Sequence, residues 1–494
     1  MNYFSPTMRR ALLLLIGVLA WVSIATAQDD AGSAGSGAAP AATAPAEQNN
    51  VENPPLSGLD APTAEPAFGG RSYLVPGLQV SESVDSNSAS AASNNTHTSE
   101  ITRALGSVDM QKIWRQYQFG LDYIAGGDFY AGSRITTSHG RATQVHTLAA
   151  NQRILWRTGQ LAIRDSFDYL PEGSFGFSSY GGAGGFGSAI GGGVTGVGAG
   201  TGVGGGLAGG SAGGLGTSFG SIGYQPRIDN SSLIDVVQGL SPRSTVTMAG
   251  GYSFTNYLDT VPTLPLINSQ QITGQVGFNR ILNRKDQIGV QYSYQDFHFP
   301  RVGSGSVQAH VWNALYGHRV SGKLNLTVAG GPQLVILNNP GATTKKLVAN
   351  GSLTFGYTVS SRTNVQVVFQ RYVSPGSGFY AGANTDAARV SLGHLFGRHW
   401  TTTTDAGYSH NSNLQSSNVL PPSGVTSHSY QFWYAGTSLQ RQLGQQFSAF
   451  ASYQFNDMGL RQCTSGPTAV CSGTSTRHTG QVGINWHPRP IRLD

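Results

Sequence analysis

Residues 347–359 read Leu-Val-Ala-Asn-Gly-Ser-Leu-Thr-Phe-Gly-Tyr-Thr-Val. Leu347, Ala349, Gly351, Leu353, Phe355, Tyr357 and Val359 share one parity, and Val348, Asn350, Ser352, Thr354, Gly356 and Thr358 share the other. Successive side chains of a strand point to opposite faces, so this stretch has one apolar face and one mostly polar face. The polar face carries amides and hydroxyls rather than the Lys and Glu of a typical soluble surface. The segment is also longer than the five or six residues, roughly, of an ordinary strand. Both features predict a strand that crosses a membrane at a tilt as one stave of a barrel.

The same pattern recurs along the chain. Tyr117, Phe119, Leu121 and Tyr123 alternate with Gln116, Gln118, Gly120 and Asp122. Ile288, Val290, Tyr292 and Tyr294 alternate with Gly289, Gln291, Ser293 and Gln295. Phe447, Ala449, Ala451, Tyr453 and Phe455 alternate with Ser448, Ser452 and Gln454, with Phe450 breaking the rule. Aromatic residues gather near segment ends, as in interfacial girdles: Trp114, Trp156, Trp400 and Trp486 toward one rim, Tyr252, Phe254, Phe297 and Phe299 toward the other.

Composition agrees. Of 494 residues, 11% are charged and 68 are Gly. Soluble proteins carry about 25% charged residues. The hydrophobic fraction of 39% is low for a bundle of membrane helices. Past the N-terminus, no apolar run reaches the ~18 residues of a transmembrane helix.

The N-terminus reads as a secretory signal. Arg9 and Arg10 precede an apolar core from Ala11 to Ile24, and Ala25-Thr26-Ala27 fits a small-residue cleavage site, predicting cleavage between Ala27 and Gln28. Removing residues 1–27 lowers the net charge from +6 to +4. That modest charge, without a clustered basic face, argues against nucleic acid as a partner. Residues 28–71, rich in Ala, Pro, Gly and Ser, read as a disordered periplasmic linker, too short and polar to fold as a plug. Cys463 and Cys471 are the only cysteines, and in an oxidising compartment they are expected to form one loop disulfide.

Turns then give the topology. Short turns fall at Trp114-Arg115, Arg157-Thr158-Gly159, Ser241-Pro242-Arg243, Asn283-Arg284-Lys285-Asp286, Ser321-Gly322-Lys323, Ser361-Arg362, Gly397-Arg398-His399 and Arg441-Gln442-Leu443-Gly444. Longer connections lie near 87–97, 132–141, 170–229, 258–267, 300–305, 337–344, 376–384, 411–427 and 459–473. Short and long alternate, as in outer-membrane barrels with short periplasmic turns and long external loops. Eight turns pair sixteen strands, and one strand at each end, near 72–86 and 475–487, brings the total to about eighteen (16–18). The barrel is expected over 72–488, with a short periplasmic tail at 489–494. Every short turn carries Arg or Lys, as solvated turn residues do and as contact with anionic headgroups would also require.

The longest connection, 170–229, is mostly Gly from Gly181 to Gly216. Its G-x-G-x-x-G-like spacings lack the strand and helix of a nucleotide site. It reads as an exposed flexible loop, with infolding into the lumen as the alternative. The twelve His show no metal-ligand spacing, so no metal, cofactor or catalytic site is predicted. His410-Asn411-Ser412-Asn413 resembles the H-x-S-N signature of outer-membrane lipid A deacylases. His410 and Ser412 share a face, but Asp405 has the opposite parity and no other orienting carboxylate is found nearby in sequence.

As a whole, residues 72–488 resemble large bacterial outer-membrane β-barrels of the porin-like kind, without a plug domain. That resemblance implies localisation in the outer membrane, contact with outer-membrane lipid and lipopolysaccharide, and insertion by the barrel-assembly machinery. Many such barrels end on an aromatic; here the last strand reaches Trp486 and an eight-residue tail follows. The implied function is passive diffusion of small hydrophilic solutes. A surface barrel with a blocked lumen and binding loops is the alternative, and a lipid-modifying enzyme a remote one.

Overall fold

The computed structural model describes residues 55–57, 72–86, 98–131, 142–170, 227–258, 267–300, 305–339, 342–376, 380–397, 399–414, 429–461 and 474–493. The signal peptide, the Ala27–Gln28 cleavage site, most of the linker, the glycine tract and the Cys463–Cys471 pair lie outside the described residues.

The described residues form one antiparallel sheet. Its strands are β1 (Tyr73–Asp85), β2 (Ser99–Ile113), β3 (Tyr117–Ala131), β4 (Ala142–Trp156), β5 (Gly159–Leu170), β6 (Arg227–Ser241), β7 (Ser244–Tyr257), β8 (Ser269–Ile281) and β9 (Asp286–His298). They continue as β10 (Ser306–Ser321), β11 (Leu324–Asn339), β12 (Ala342–Ser360), β13 (Thr363–Ser374), β14 (Ala383–Phe396), β15 (Trp400–Asn413), β16 (Ser429–Gln442), β17 (Phe447–Arg461), β18 (Thr474–Trp486) and the two-residue β19 (Ile491–Arg492). Each long strand pairs with its sequence neighbours, and β1 pairs with β18, so eighteen long strands close into a ring.

Closure is what the membrane requires. Hydrocarbon offers no partner to a backbone N–H or C=O, so an open sheet edge cannot be tolerated there. A 13-residue strand is about 43 Å long. Tilted by about 45°, it covers roughly the 30 Å hydrocarbon core.

The seam shows how closure is completed. β1 pairs with β18 from Leu78↔Trp486 to Asp85↔Thr479. Below Trp486 the chain passes Pro488 and Pro490, which have no N–H to give to a ladder. Pairing resumes at Leu74↔Ile491 and Tyr73↔Arg492. Pro76 occupies the β1 position facing this gap. The C-terminal segment, expected as a short periplasmic tail, contributes a two-residue strand to the seam, and the Leu493 N–H donates to the Ser72 carbonyl at 3.2 Å.

The alternation behaves as the sequence predicts. Tyr117, Tyr123, Ile288, Val290, Leu347, Leu353, Tyr357, Phe447 and Tyr453 are exposed on the outer, lipid-facing surface. Trp114, Trp156 and Trp400 are exposed toward the short-turn rim, where the Arg441 guanidinium lies 5.0 Å from the Trp400 ring centre. Phe450, the exception in β17, has the lumenal parity, and its ring fills space left by Gly483 of β18.

Two expectations need correction. Phe297 and Phe299 do not belong to an outer girdle. They share parity with Gln291, Ser293 and Gln295 and are fully buried. The connection expected at 337–344 is also far shorter, because β11 and β12 pair out to Asn339↔Ala342.

The lipid-facing assignment yields a stability test. Val80 is exposed on the outer face near the middle of β1. Val80→Arg is expected to destabilise the inserted barrel by about 2–4 kcal/mol, the depth-dependent cost of a cation near the midplane. Urea unfolding from lipid vesicles measures it.

Candidate functional site: the lumen

The lumenal wall follows from strand parity. It presents Gln79, Ser81 and Ser83 from β1, Gln271, Thr273 and Gln275 from β8, and Gln291, Ser293 and Gln295 from β9. Asn350 and Ser352 of β12 and Ser409 and Asn411 of β15 continue it. These side chains form cross-strand bonds typical of a polar sheet face: Thr403 and Ser438 hydroxyls meet at 3.0 Å, and Thr385 donates to Asn411 Oδ1 at 2.7 Å.

Charge enters this wall as Arg–Asp pairs. Arg103 grips Asp128 with two bonds of 2.7 and 2.9 Å. Arg477 meets Asp85 across the β1–β18 seam, with Arg477 Nε 2.7 Å from Asp85 Oδ2. Arg227 pairs with Asp229 at 2.6 Å. These three pairs sit toward the long-loop rim. Near mid-depth, Arg164 of β5 lies 2.8 Å from Asp235 of β6, and Arg389 of β14 lies 2.6 Å from Asp405 of β15. The Tyr434 hydroxyl also donates to Asp405. Strands β5–β6 and β14–β15 are nine places apart in an eighteen-strand ring, so the two mid-depth pairs occupy opposite walls.

The two pairs differ in exposure. The Arg164 side chain is 8% exposed, whereas that of Arg389 is 43% exposed. Arg389 thus keeps part of its side chain accessible while Asp405, itself buried, holds its orientation. A buried carboxylate bonded to an Arg and a Tyr is a fixed support for that cation.

Toward the long-loop end, one sector of the wall is apolar. Phe297, Val307, Val335 and Leu337 join Ala381 and Leu414 in a buried cluster, with Phe299 and Ile267. Val373 of β13 and Ala381, just ahead of β14, pack into it. Gly376 and Gly382 adopt φ of 85° and 93°, left-handed values that favour glycine. Tyr380, between them, is buried and its ring lies 5.6 Å from that of Tyr430 of β16. The Lys346 ammonium ties the Leu414 carbonyl at 2.7 Å. Sequence reading missed this cluster; the parity of Phe297, Val307, Val335 and Leu337 was the available signal.

The H-x-S-N stretch lies at the long-loop end of β15. His410 and Ser412 share the outward parity, as expected, and Asp405 faces the lumen. Asp386 of β14 stands directly opposite His410, a carboxylate that sequence reasoning did not find. The Ser412 hydroxyl donates to the Asn384 carbonyl at 3.3 Å, and Asp386 lies 3.6 Å from Arg371. Among the described residues no group of three or more His, Cys, Asp or Glu is placed to hold a metal ion.

No protein-family model and no curated protein matches the sequence. Solved structures align with the chain at low identity. OccK2 (OpdF) of Pseudomonas aeruginosa aligns at 7% identity and a TM-score of 0.40, covering 85% of this chain and 98% of its own. OpdK of the same organism aligns at 11% and 0.39, covering 84% and 98%. A BenF-like porin of Pseudomonas fluorescens Pf-5 aligns at 9% and 0.39, covering 85% and 99%.

The exposed cation gives the test for this site. Arg389→Ala is expected to shift the channel toward cations, and Asp405→Asn toward anions. Each changes the cation-to-anion permeability ratio by about twofold, read from the reversal potential across a salt gradient. By closure, strand number and lumenal polarity, the chain is a large antiparallel transmembrane β-barrel of eighteen long strands.

Proposed function

We propose that this protein is a channel in the bacterial outer membrane for passive diffusion of small hydrophilic solutes. The observation that carries the reading is the closed ring of eighteen long strands with a polar inner face. A ring of that size leaves a water-filled lumen unless something fills it. No plug domain occurs among the described residues.

The chemistry of the wall suits uncharged or weakly charged solutes. The inner face is built of neutral Gln, Asn, Ser and Thr, a composition that favours a hydroxyl-rich solute such as a sugar over a strongly charged one. The five lumenal arginines described above are each paired with an Asp, which offsets their charge locally.

Outer-membrane residence is supported by the lipid-facing belt and the sequence signal at residues 1–27. Contacts with outer-membrane lipid and lipopolysaccharide, and insertion by the barrel-assembly machinery, belong to the same reading.

Purified protein refolded into planar bilayers is expected to give stepwise conductance that scales with salt concentration. Loaded liposomes carrying it are expected to swell in neutral sugars. Absence of both overturns the channel reading.

A further inference from the structure

Ahead of β1, residues 55–57 lie against the inside of the barrel rather than apart from it. Leu56 is 1% exposed and Ser57 0% exposed. The Ser57 N–H donates to Asn279 Oδ1 at 2.9 Å. Its carbonyl accepts from Gln275 Nε2 at 2.8 Å and from the Thr247 hydroxyl at 3.1 Å. Its own hydroxyl lies 2.6 Å from Thr247 Oγ1 and accepts from the Asn279 amide. Every polar group of Ser57 is therefore engaged.

The partners are lumenal. Thr247, Gln275 and Asn279 are buried while their neighbours Met248, Val276 and Phe278 are exposed outside. Leu56 packs on Leu315 of β10 and Ala329 of β11. The wall is notched to receive these residues. A Cβ on Gly277 would come 2.3 Å from the Ser57 Cβ, and one on Gly317 would come 2.8 Å from a Leu56 methyl. Ordinary van der Waals contact needs about 3.5–4.0 Å, so a side chain at 277 would displace Ser57, and one at 317 would push the Leu56 methyl aside.

Position gives the seat a consequence. Thr247, Asn279 and Gly317 lie within a few residues of the short turns, so the seat is at the periplasmic mouth. It spans β7–β11, and β10 is nine places from β1 in the ring. The chain leaving Ser57 on one wall has to reach Ser72 on the other before β1 begins.

We propose that the lumenal trough of Thr247, Gln275, Gly277, Asn279, Gly317 and Ala329 is a binding site for residues 55–57 of the same chain, and that the bound segment narrows the channel at its periplasmic mouth. The inference rests on the channel reading above. Covalent linkage to β1 gives the segment a high effective concentration at its seat.

Two measurements on the full chain test it. In a background of Cys463→Ser and Cys471→Ser, Leu56→Cys with Ala329→Cys is expected to react with a short bifunctional thiol crosslinker. A linked peptide pair joining positions 56 and 329 is expected after proteolysis of the double variant, whereas Leu56→Cys alone gives only a mono-adduct. Failure to crosslink in a folded, heat-modifiable barrel overturns the seat, whether or not the protein conducts. In bilayers, Leu56→Asp, which weakens the ligand, and Gly277→Val, which fills the notch, are each expected to raise single-channel conductance by about twofold. Crosslinking with conductance unchanged in both variants overturns the narrowing. Conductance absent in the parent and gained in the variants supports it. Conductance absent in all three overturns the narrowing and the channel reading together, while the crosslink still reports the seat.

Discussion

A backbone amide cannot be left unpaired in hydrocarbon, and the rest of this structure follows from that constraint. It forces every strand to have two neighbours, and so forces β1 to meet β18. Closure fixes which parity faces lipid. Lipid takes Val80, Val290, Leu347 and Val482, which leaves the Gln, Ser, Asn and Thr of the other parity to line a lumen. The Arg–Asp pairs are then a secondary solution to a second problem. A charged side chain on that inner wall needs a fixed counter-charge when the wall is packed, and a strand neighbour supplies it at Arg103–Asp128 and Arg164–Asp235.

Much of this was legible in the sequence because a membrane barrel is nearly a repeating object. Period-two alternation and the short–long rhythm of turns report local geometry, and local geometry sets strand number. Phe450 read as an exception because alternation alone does not show that Gly483 on the next strand leaves room for a ring. Phe297 and Phe299 were misread for a related reason. An aromatic near a strand end suggests a girdle, but parity decides its side, and theirs is lumenal.

What was not legible is what depends on distant parts of the chain. Nothing near Asp405 in sequence announces Arg389 or Tyr434 as partners; register between strands does. Asp386 opposite His410 is the same kind of fact. Residues 55–57 read as linker because their composition is poor in apolar residues, and a single Leu and Ser carry no periodicity. Their seat is visible only when Gly277 of β8 and Gly317 of β10 are brought to the same region of the wall, on either side of β9. The channel's fine chemistry is therefore written across strands, while its architecture is written along them.

The seam described above also orders events in time. Gln481 donates to Ser81 across it, a contact between residues 400 positions apart. Every hairpin can zip to its predecessor at small entropic cost, but this last pairing joins the first strand made to the last. Contacts of such sequence separation are slow to form from an open chain. Staves added one after another would bring the two edges side by side, so that the final step is a short docking rather than a long search. β19, which resumes pairing after the two prolines, extends the same seam toward the short-turn rim.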